Sequence, residues 1–161
     1  MRILVAGVGN VLRADDGFGI RVIEALIAGG RVPAGVDLYE AGIGGIPLVQ
    51  ELMKGYDVLV IADAIDRQVE PGTLLLLEPD LSETPRTTID AHTADPSQVV
   101  VLARALGVCP SKVLIVGCQY AQVEDAVEQM HPAVARAVPL AVERILALIE
   151  TLKSSNHIPQ P

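Results

Sequence analysis

The chain is poor in large rings, and that lack narrows its architecture before any motif is considered. Tryptophan is absent, phenylalanine occurs once and tyrosine three times, although half of the 161 residues are hydrophobic. The interior must therefore be filled by Val, Leu, Ile and Ala, a composition suited to strands packed under helices. No apolar run approaches the roughly eighteen residues of a membrane span, so no membrane partner is expected. The run Ile3 to Val8 behind Arg2 is broken too early by Gly9 and Asn10 to read as a signal peptide.

Positive charge is also scarce. Twelve Lys and Arg stand against 20 Asp and Glu, for a net charge of -8. Such a field opposes docking on nucleic acid and supplies no counterion release to drive it, so no nucleic-acid partner is expected. Cysteine is limited to Cys109 and Cys118, too far apart for a CxxC pair. They read as two buried structural thiols in a chain that works in a reducing cytoplasm. The HExxH, GxSxG and Walker lysine motifs are all missing, which removes local support for a self-contained zinc protease, a serine hydrolase or a P-loop enzyme.

What is present is a regular alternation of two periods. Arg2 to Ala6, Val36 to Glu40 and Val58 to Asp63 are short aliphatic runs of the kind expected for strands covered on both faces. Gly17 to Ala28 and Ile46 to Lys54 carry apolar residues at helical spacing between them, with Gly29-Gly30 as a stop. This is a βαβαβ opening with parallel strands. Thr73 to Leu77 follows Asp63 too closely for a parallel crossover, so it is predicted to run antiparallel. Ser97 to Leu106 is predicted helical, Lys112 to Cys118 a fifth strand, and Pro132 to Leu152 a long final helix bent at Pro139, with Val134, Val138, Val142, Ile145 and Ile149 facing inward. The fold class is α/β: a three-layer α/β/α arrangement around a twisted, mostly parallel five-stranded sheet with one antiparallel strand. Residues 1–152 form one domain and 153–161 a flexible tail. Pro79 to Asp95 shows neither period, and a loop of that length in a small domain is usually functional.

In a parallel sheet, ligands bind beyond the carboxyl ends of the strands. Asp15-Asp16 follows the first strand, Asp63 ends the third, and His92 lies in the long loop that returns toward the same edge. Two carboxylates and an imidazole are donors that can hold a divalent transition metal with positions left open. Each also has a simpler reading. Asp15 or Asp16 can cap the helix that begins near Gly17, Asp63 can form a turn, and His92 alone reads as a surface histidine. His131 before Pro132 reads as a helix cap, and Asp66 and Glu70 as solvated turn residues. A competing account starts from Gly7 and Gly9, which resemble a dinucleotide fingerprint with Glu40 placed to meet a ribose hydroxyl. Leu12 stands where the third glycine belongs, and the helix starts too late for a pyrophosphate cradle.

Taken together, Gly7-Val8-Gly9-Asn10-Val11-Leu12 and Asp15-Asp16-Gly17-Phe18-Gly19 resemble the N-terminal motif of the hydrogenase maturation endopeptidases, which trim the C-terminal extension of nickel-iron hydrogenase large subunits. The resemblance continues through Glu40-Ala41-Gly42, Ile61-Ala62-Asp63-Ala64, His92, Val116-Gly117 and Val138-Pro139. It implies a twisted sheet between helices and assigns Asp16, Asp63 and His92 as catalytic and metal-engaging residues. Gly7, Gly9, Asn10, Asp15, Glu40 and Gly42 then bind substrate or shape the loops. The implied metal is nickel, supplied by the substrate rather than held by the free enzyme, and the implied partner is the large-subunit precursor, met by a monomer. A nucleotide-binding domain and a non-catalytic nickel docking module are the alternatives. Two positions depart from the family: Ala41-Gly42-Ile43 replaces a frequent Gly-Gly-Thr, and His131 stands where Ser or Thr is usual.

Overall fold

The structure is a computed structural model and describes residues 1–80 and 96–155. Its strands are β1 (Ile3–Val8), β2 (Val36–Gly42), β3 (Val58–Ile65), β4 (Leu74–Leu77) and β5 (Lys112–Gln119). Its helices are α1 (Phe18–Gly29), α2 (Gly45–Leu52), α3 (Pro96–Ala105) and α4 (Pro132–Ser155). One sheet in the order β2-β1-β3-β5-β4 joins all five strands. The first four in that order are parallel, and β4 runs antiparallel to β5. This is the mostly parallel α/β sheet that the alternation of periods predicts.

The central strands read as unbroken aliphatic runs because helices cover both of their faces. Ile3 and Val5, Val58, Val60 and Ala62, and Val116 and Cys118 pack with Phe18, Val22, Ile23 and Leu26 of α1 and with the inner face of α4. The intervening residues, Leu4, Ala6, Val8, Leu59, Ile61 and Val113, pack on the opposite side with Leu48, Val49 and Leu52 of α2 and Val99, Val100 and Ala103 of α3. Truncating a fully buried residue such as Leu59 or Ile61 to Ala costs about 2–5 kcal/mol by the transfer and cavity terms.

The observed elements differ from the sequence expectations at element ends and on α4. First, β1, β2 and β3 run past Ala6, Glu40 and Asp63 to Val8, Gly42 and Ile65, because a glycine or a single Asp does not interrupt a backbone ladder that a neighbouring strand continues. Second, the buried face of α4 is Val134, Ala137, Ala141, Ile145 and Ile149, with Val138 and Val142 only partly buried beside it. The small Ala137 and Ala141 are turned inward, and the bulkier valines flank them. α4 passes through Pro139 as one helix and runs to Ser155, so residues 153–155 of the polar end are helical.

The strand order also fixes where a ligand crevice forms. From β1 the chain moves outward through α1 to β2, then returns through α2 to β3 on the other side of β1. α1 and α2 lie on opposite faces. Their connections therefore diverge at the carboxyl ends of β1 and β3, and a cleft opens at such a switch point.

Candidate active site

The loop after β1 is built on one close approach. Gly9 has φ +128°, a conformation L side chains rarely adopt, and a Cβ there would collide with the carbonyl oxygen of Asp16. Behind it, Gly7 lies against the Gly19 carbonyl, so β1 and the start of α1 touch backbone to backbone. A 3-10 turn over Ala14–Gly17 carries Asp15 and Asp16 into the first turn before α1. The Gly9 N–H donates to the Gly42 carbonyl at 3.0 Å, tying this loop to the end of β2.

Asp16 is half-buried. Its Oδ2 accepts the Asn10 N–H at 3.0 Å, and its other oxygen has no hydrogen-bond donor among the described residues. Asp15 does not cap α1. It is fully buried, with Oδ2 accepting the N–H groups of Ala121 at 2.8 Å and Gln122 at 2.9 Å and Oδ1 accepting that of His131 at 2.7 Å. The Ala14 N–H donates to the Val127 carbonyl, and the Val127 N–H to Leu12 at 3.1 Å. The β5–α4 connection is thus laid along the first loop and fastened there by Asp15. His131 does act as the cap of α4: its Nδ1 accepts the Ala133 N–H at 3.2 Å.

A cleft of about 1030 Å³ opens at the switch point, and both Asp16 and Asp63 line it. Asp63 is 8% exposed. The pairing of β1 with β3 ends at Gly7 and Ala62, while β3 continues beside β5 with Asp63 opposite Gly117. Asp63 is therefore the first residue of β3 beyond its pairing with β1. The wall of the cleft also includes Asn10, Arg13, Ile43, Arg67 and Tyr120.

His92 lies outside the described residues. Among the described residues no group of three or more His, Cys, Asp or Glu side chains is disposed to hold a metal ion. Asp16 and Asp63 nevertheless bring oxygen donors from two separate elements to one cleft, the donor chemistry a divalent ion accepts. Glu40 is exposed on β2, opposite Gly7, and is not part of the cleft. Gly42, with φ +61°, turns the chain out of β2 toward Ile43. Asp66 is more than a solvated turn residue. It lines the cleft, and its Oδ1 accepts Gln68 N–H at 3.1 Å and Gln119 Nε2 at 3.3 Å.

The glycine-rich loop does not offer a phosphate cradle. The N–H groups of Gly9, Asn10, Leu12, Arg13, Ala14, Asp15 and Asp16 all donate within the protein, and a carboxylate occupies the position where a phosphate would have to approach. Such a cradle needs free backbone donors and no adjacent negative charge.

Sequence reasoning missed Arg13, Ile43, Arg67 and Tyr120. The available signal was topological, because each follows the carboxyl end of a strand that bears on the switch point. Cys118 is fully buried on β5, whereas Cys109 is only partly buried in the connection before it. Burial, followed by the charge of Asp15, pushes the Cys118 thiol up to about 12.

Comparison with known proteins places these features in company. The family model described as HycI, hydrogenase maturation protease, matches residues 20–148. The hydrogenase 2 maturation protease of Escherichia coli K12 is 33% identical over 153 residues, covering 92% of this chain and 91% of that protein. The hydrogenase expression/formation protein HupD of Rhodobacter capsulatus is 34% identical over 145 residues, covering 88% of this chain and 68% of its own length. Among solved structures, the hydrogenase maturating endopeptidase HybD from Escherichia coli superposes with a TM-score of 0.73 at 29% identity, over 94% of this chain and 93% of that one.

Proposed function

The chain belongs to the hydrogenase maturation protease family, and from that premise we propose that it removes the C-terminal extension from the nickel-loaded precursor of a nickel-iron hydrogenase large subunit. The observation that carries this reading is the arrival of Asp16, from the turn after β1, and Asp63, from β3, in one cleft at the switch point. The nickel belongs to the substrate. Asp16 has an uncommitted oxygen to offer it, Asp63 is a second carboxylate donor, and His92 supplies the imidazole, a donor set suited to nickel.

This arrangement gives the metal a recognition role. Two carboxylates lining one cleft of a chain with net charge -8 disfavour each other's charge and that of any acidic ligand. A precursor that brings a divalent cation relieves that repulsion, and a nickel-free precursor does not. Bound nickel then places the adjoining peptide along the cleft. In hydrolysis the water oxygen adds to the scissile carbonyl carbon, the C–N bond breaks, and the amine leaves with a proton. The carboxylates lining the cleft supply the base for that water.

The test is incubation of the protein with nickel-loaded and nickel-free precursor, followed by mass spectrometry. Loss of the C-terminal peptide from the loaded form alone supports the reading. Equal cleavage of both forms overturns nickel recognition, and nickel-dependent binding without cleavage makes the chain a docking module instead. Asp16→Asn and His92→Ala are expected to abolish processing while the circular dichroism spectrum stays unchanged.

A further inference from the structure

Arg67 stands apart from the other cations of the cleft. Arg13 also lines the wall, but its guanidinium is committed to Asp125 at 2.6 Å. Elsewhere Arg2, Arg21 and Arg31 are held by Asp37, Glu24 and Glu143. The Arg67 guanidinium makes no hydrogen bond or ion pair among the described residues, although the chain carries an excess of acids. Its neighbour Asp66 turns one carboxylate oxygen, Oδ1, to Gln68 and Gln119.

The backbone beneath Arg67 is firmly placed. Gln119, 5% exposed at the end of β5, accepts the Arg67 N–H on Oε1 at 2.7 Å. The same side chain donates from Nε2 to Asp66 and, at 3.0 Å, to the Tyr120 carbonyl. The Tyr120 N–H returns to Ile65 at 3.2 Å. A buried glutamine therefore clamps the turn after β3 to β5 and leaves the arginine side chain exposed in the cleft that Asp63 also lines. A guanidinium carried on a fixed backbone and without an internal partner, beside carboxylates that would repel an anion, is suited to one planar acid in the cleft.

We propose that Arg67 is a specificity-determining residue that binds a carboxylate of the precursor peptide lying in the cleft, an assignment that rests on the processing function proposed above. Nickel engages the carboxylate pair, and Arg67 takes a negative group a short distance along the same peptide. The peptide is thereby read at two points of opposite charge, which sets its direction. That carboxylate is either an Asp or Glu side chain of the precursor or the terminal carboxylate of its extension.

The experiment compares wild-type protein, Arg67→Ala, Arg67→Lys and Arg67→Glu for steady-state cleavage of nickel-loaded precursor and for precursor affinity by fluorescence anisotropy. Arg67→Ala should raise KM about tenfold with kcat changed less than about twofold, Arg67→Glu should raise it further, and Arg67→Lys should recover part of the loss. The gap between wild type and Arg67→Ala should close as salt is raised. Precursors with single Asp→Asn or Glu→Gln changes, and one amidated at its C-terminus, identify the partner: the correct one lowers wild-type affinity and leaves Arg67→Ala unaffected. An unchanged KM in Arg67→Ala, or losses that add with every altered precursor, overturns the assignment while wild-type cleavage upholds the processing function. Arg67-dependent binding without cleavage does the reverse, and a wild-type protein that neither binds nor cuts the precursor overturns both.

Discussion

Asp15 and Asp16 are neighbours in the chain, yet their carboxylates go to opposite sides of the loop that carries them. Asp15 is fully buried and accepts three backbone N–H groups from the β5–α4 connection. Asp16 accepts one, from Asn10, and lines the cleft. The 3-10 turn makes this division possible, because its tight winding points successive side chains in widely different directions.

The two residues should therefore separate under the same substitution. Asp15→Ala leaves three N–H groups without their charged acceptor and should destabilise the fold by about 3 kcal/mol or more. Asp15→Asn, which can still accept but presents an amide to a donor, should cost about 2 kcal/mol. Asp16→Asn should change stability by less than about 1 kcal/mol while abolishing processing. Urea unfolding of the three variants, read beside cleavage of the precursor, checks the division. Equal destabilisation at both positions would contradict it.

Much of this architecture is legible in the sequence, for identifiable reasons. The strands of the sheet announce themselves as aliphatic runs because both faces are covered, and β4 is antiparallel because the Pro71-Gly72 connection is too short for a crossover. Strand ends are less legible. Val8, Gly42 and Ile65 belong to the ladder because a neighbouring strand continues beside them, which no local pattern records. The role of Asp15 is illegible for the same reason: its partners Ala121, Gln122 and His131 are distant in the chain and contribute only backbone N–H groups, which leave no trace in residue identity. Arg67 and Tyr120 reach the cleft through the topology rather than through any motif.

Gly9, which follows β1, and Gly42, which ends β2, both have positive φ, but only Gly9 is sterically enclosed. Alanine at Gly42 meets nothing within 4 Å and should cost about 1 kcal/mol, the conformational penalty alone. Alanine at Gly9 adds a collision with the Asp16 carbonyl, so the loop must move, and Asp16 with it. Gly9→Ala should lower the thermal midpoint clearly more than Gly42→Ala and should impair processing even below that midpoint. Equal midpoints and full activity in both variants would remove Gly9 from its place as the support of Asp16.

Cys118 offers a probe of packing at the junction of β5 with the Asp15 clamp. Burial and the Asp15 charge push its thiol up to about 12, so at pH 8 almost no thiolate forms in the folded chain. A disulfide reagent such as DTNB should label Cys118 only through global unfolding, at a rate that follows the urea concentration. Cys109 is half-buried, and its thiol is raised by burial to a smaller extent, so it should be labelled first. Because the folded thiol is raised above its unfolded value, its contribution to stability is full below the ordinary thiol range and falls as the pH rises through the folded value. Rapid labelling of both cysteines at pH 8 would show that the β5 core is open.

At the opposite end of the sheet, Asp37 should make stability fall in acid. Its Oδ2 accepts the Tyr56 hydroxyl at 2.9 Å and Arg2 Nη2 at 3.0 Å, and these two, Tyr56 foremost, hold its carboxyl below the usual carboxylate value. Arg2 also lies over the Tyr56 ring at 4.5 Å, so the three side chains join β2 to the start of β1 and to the turn after α2. The sign follows from the depressed value: the contribution is present above the unfolded value and lost as the pH falls through the folded one. Asp37 is half exposed, so water screens the pair, and Asp37→Asn should cost no more than about 1 kcal/mol at pH 7. That cost should shrink toward zero as the pH falls below the usual Asp range. Because Tyr56 is the principal partner, Asp37→Asn should cost less in a Tyr56→Phe background than in the wild type. Urea midpoints of the four variants across pH 2 to 7 decide it: additive, pH-independent losses would show that the two side chains act separately.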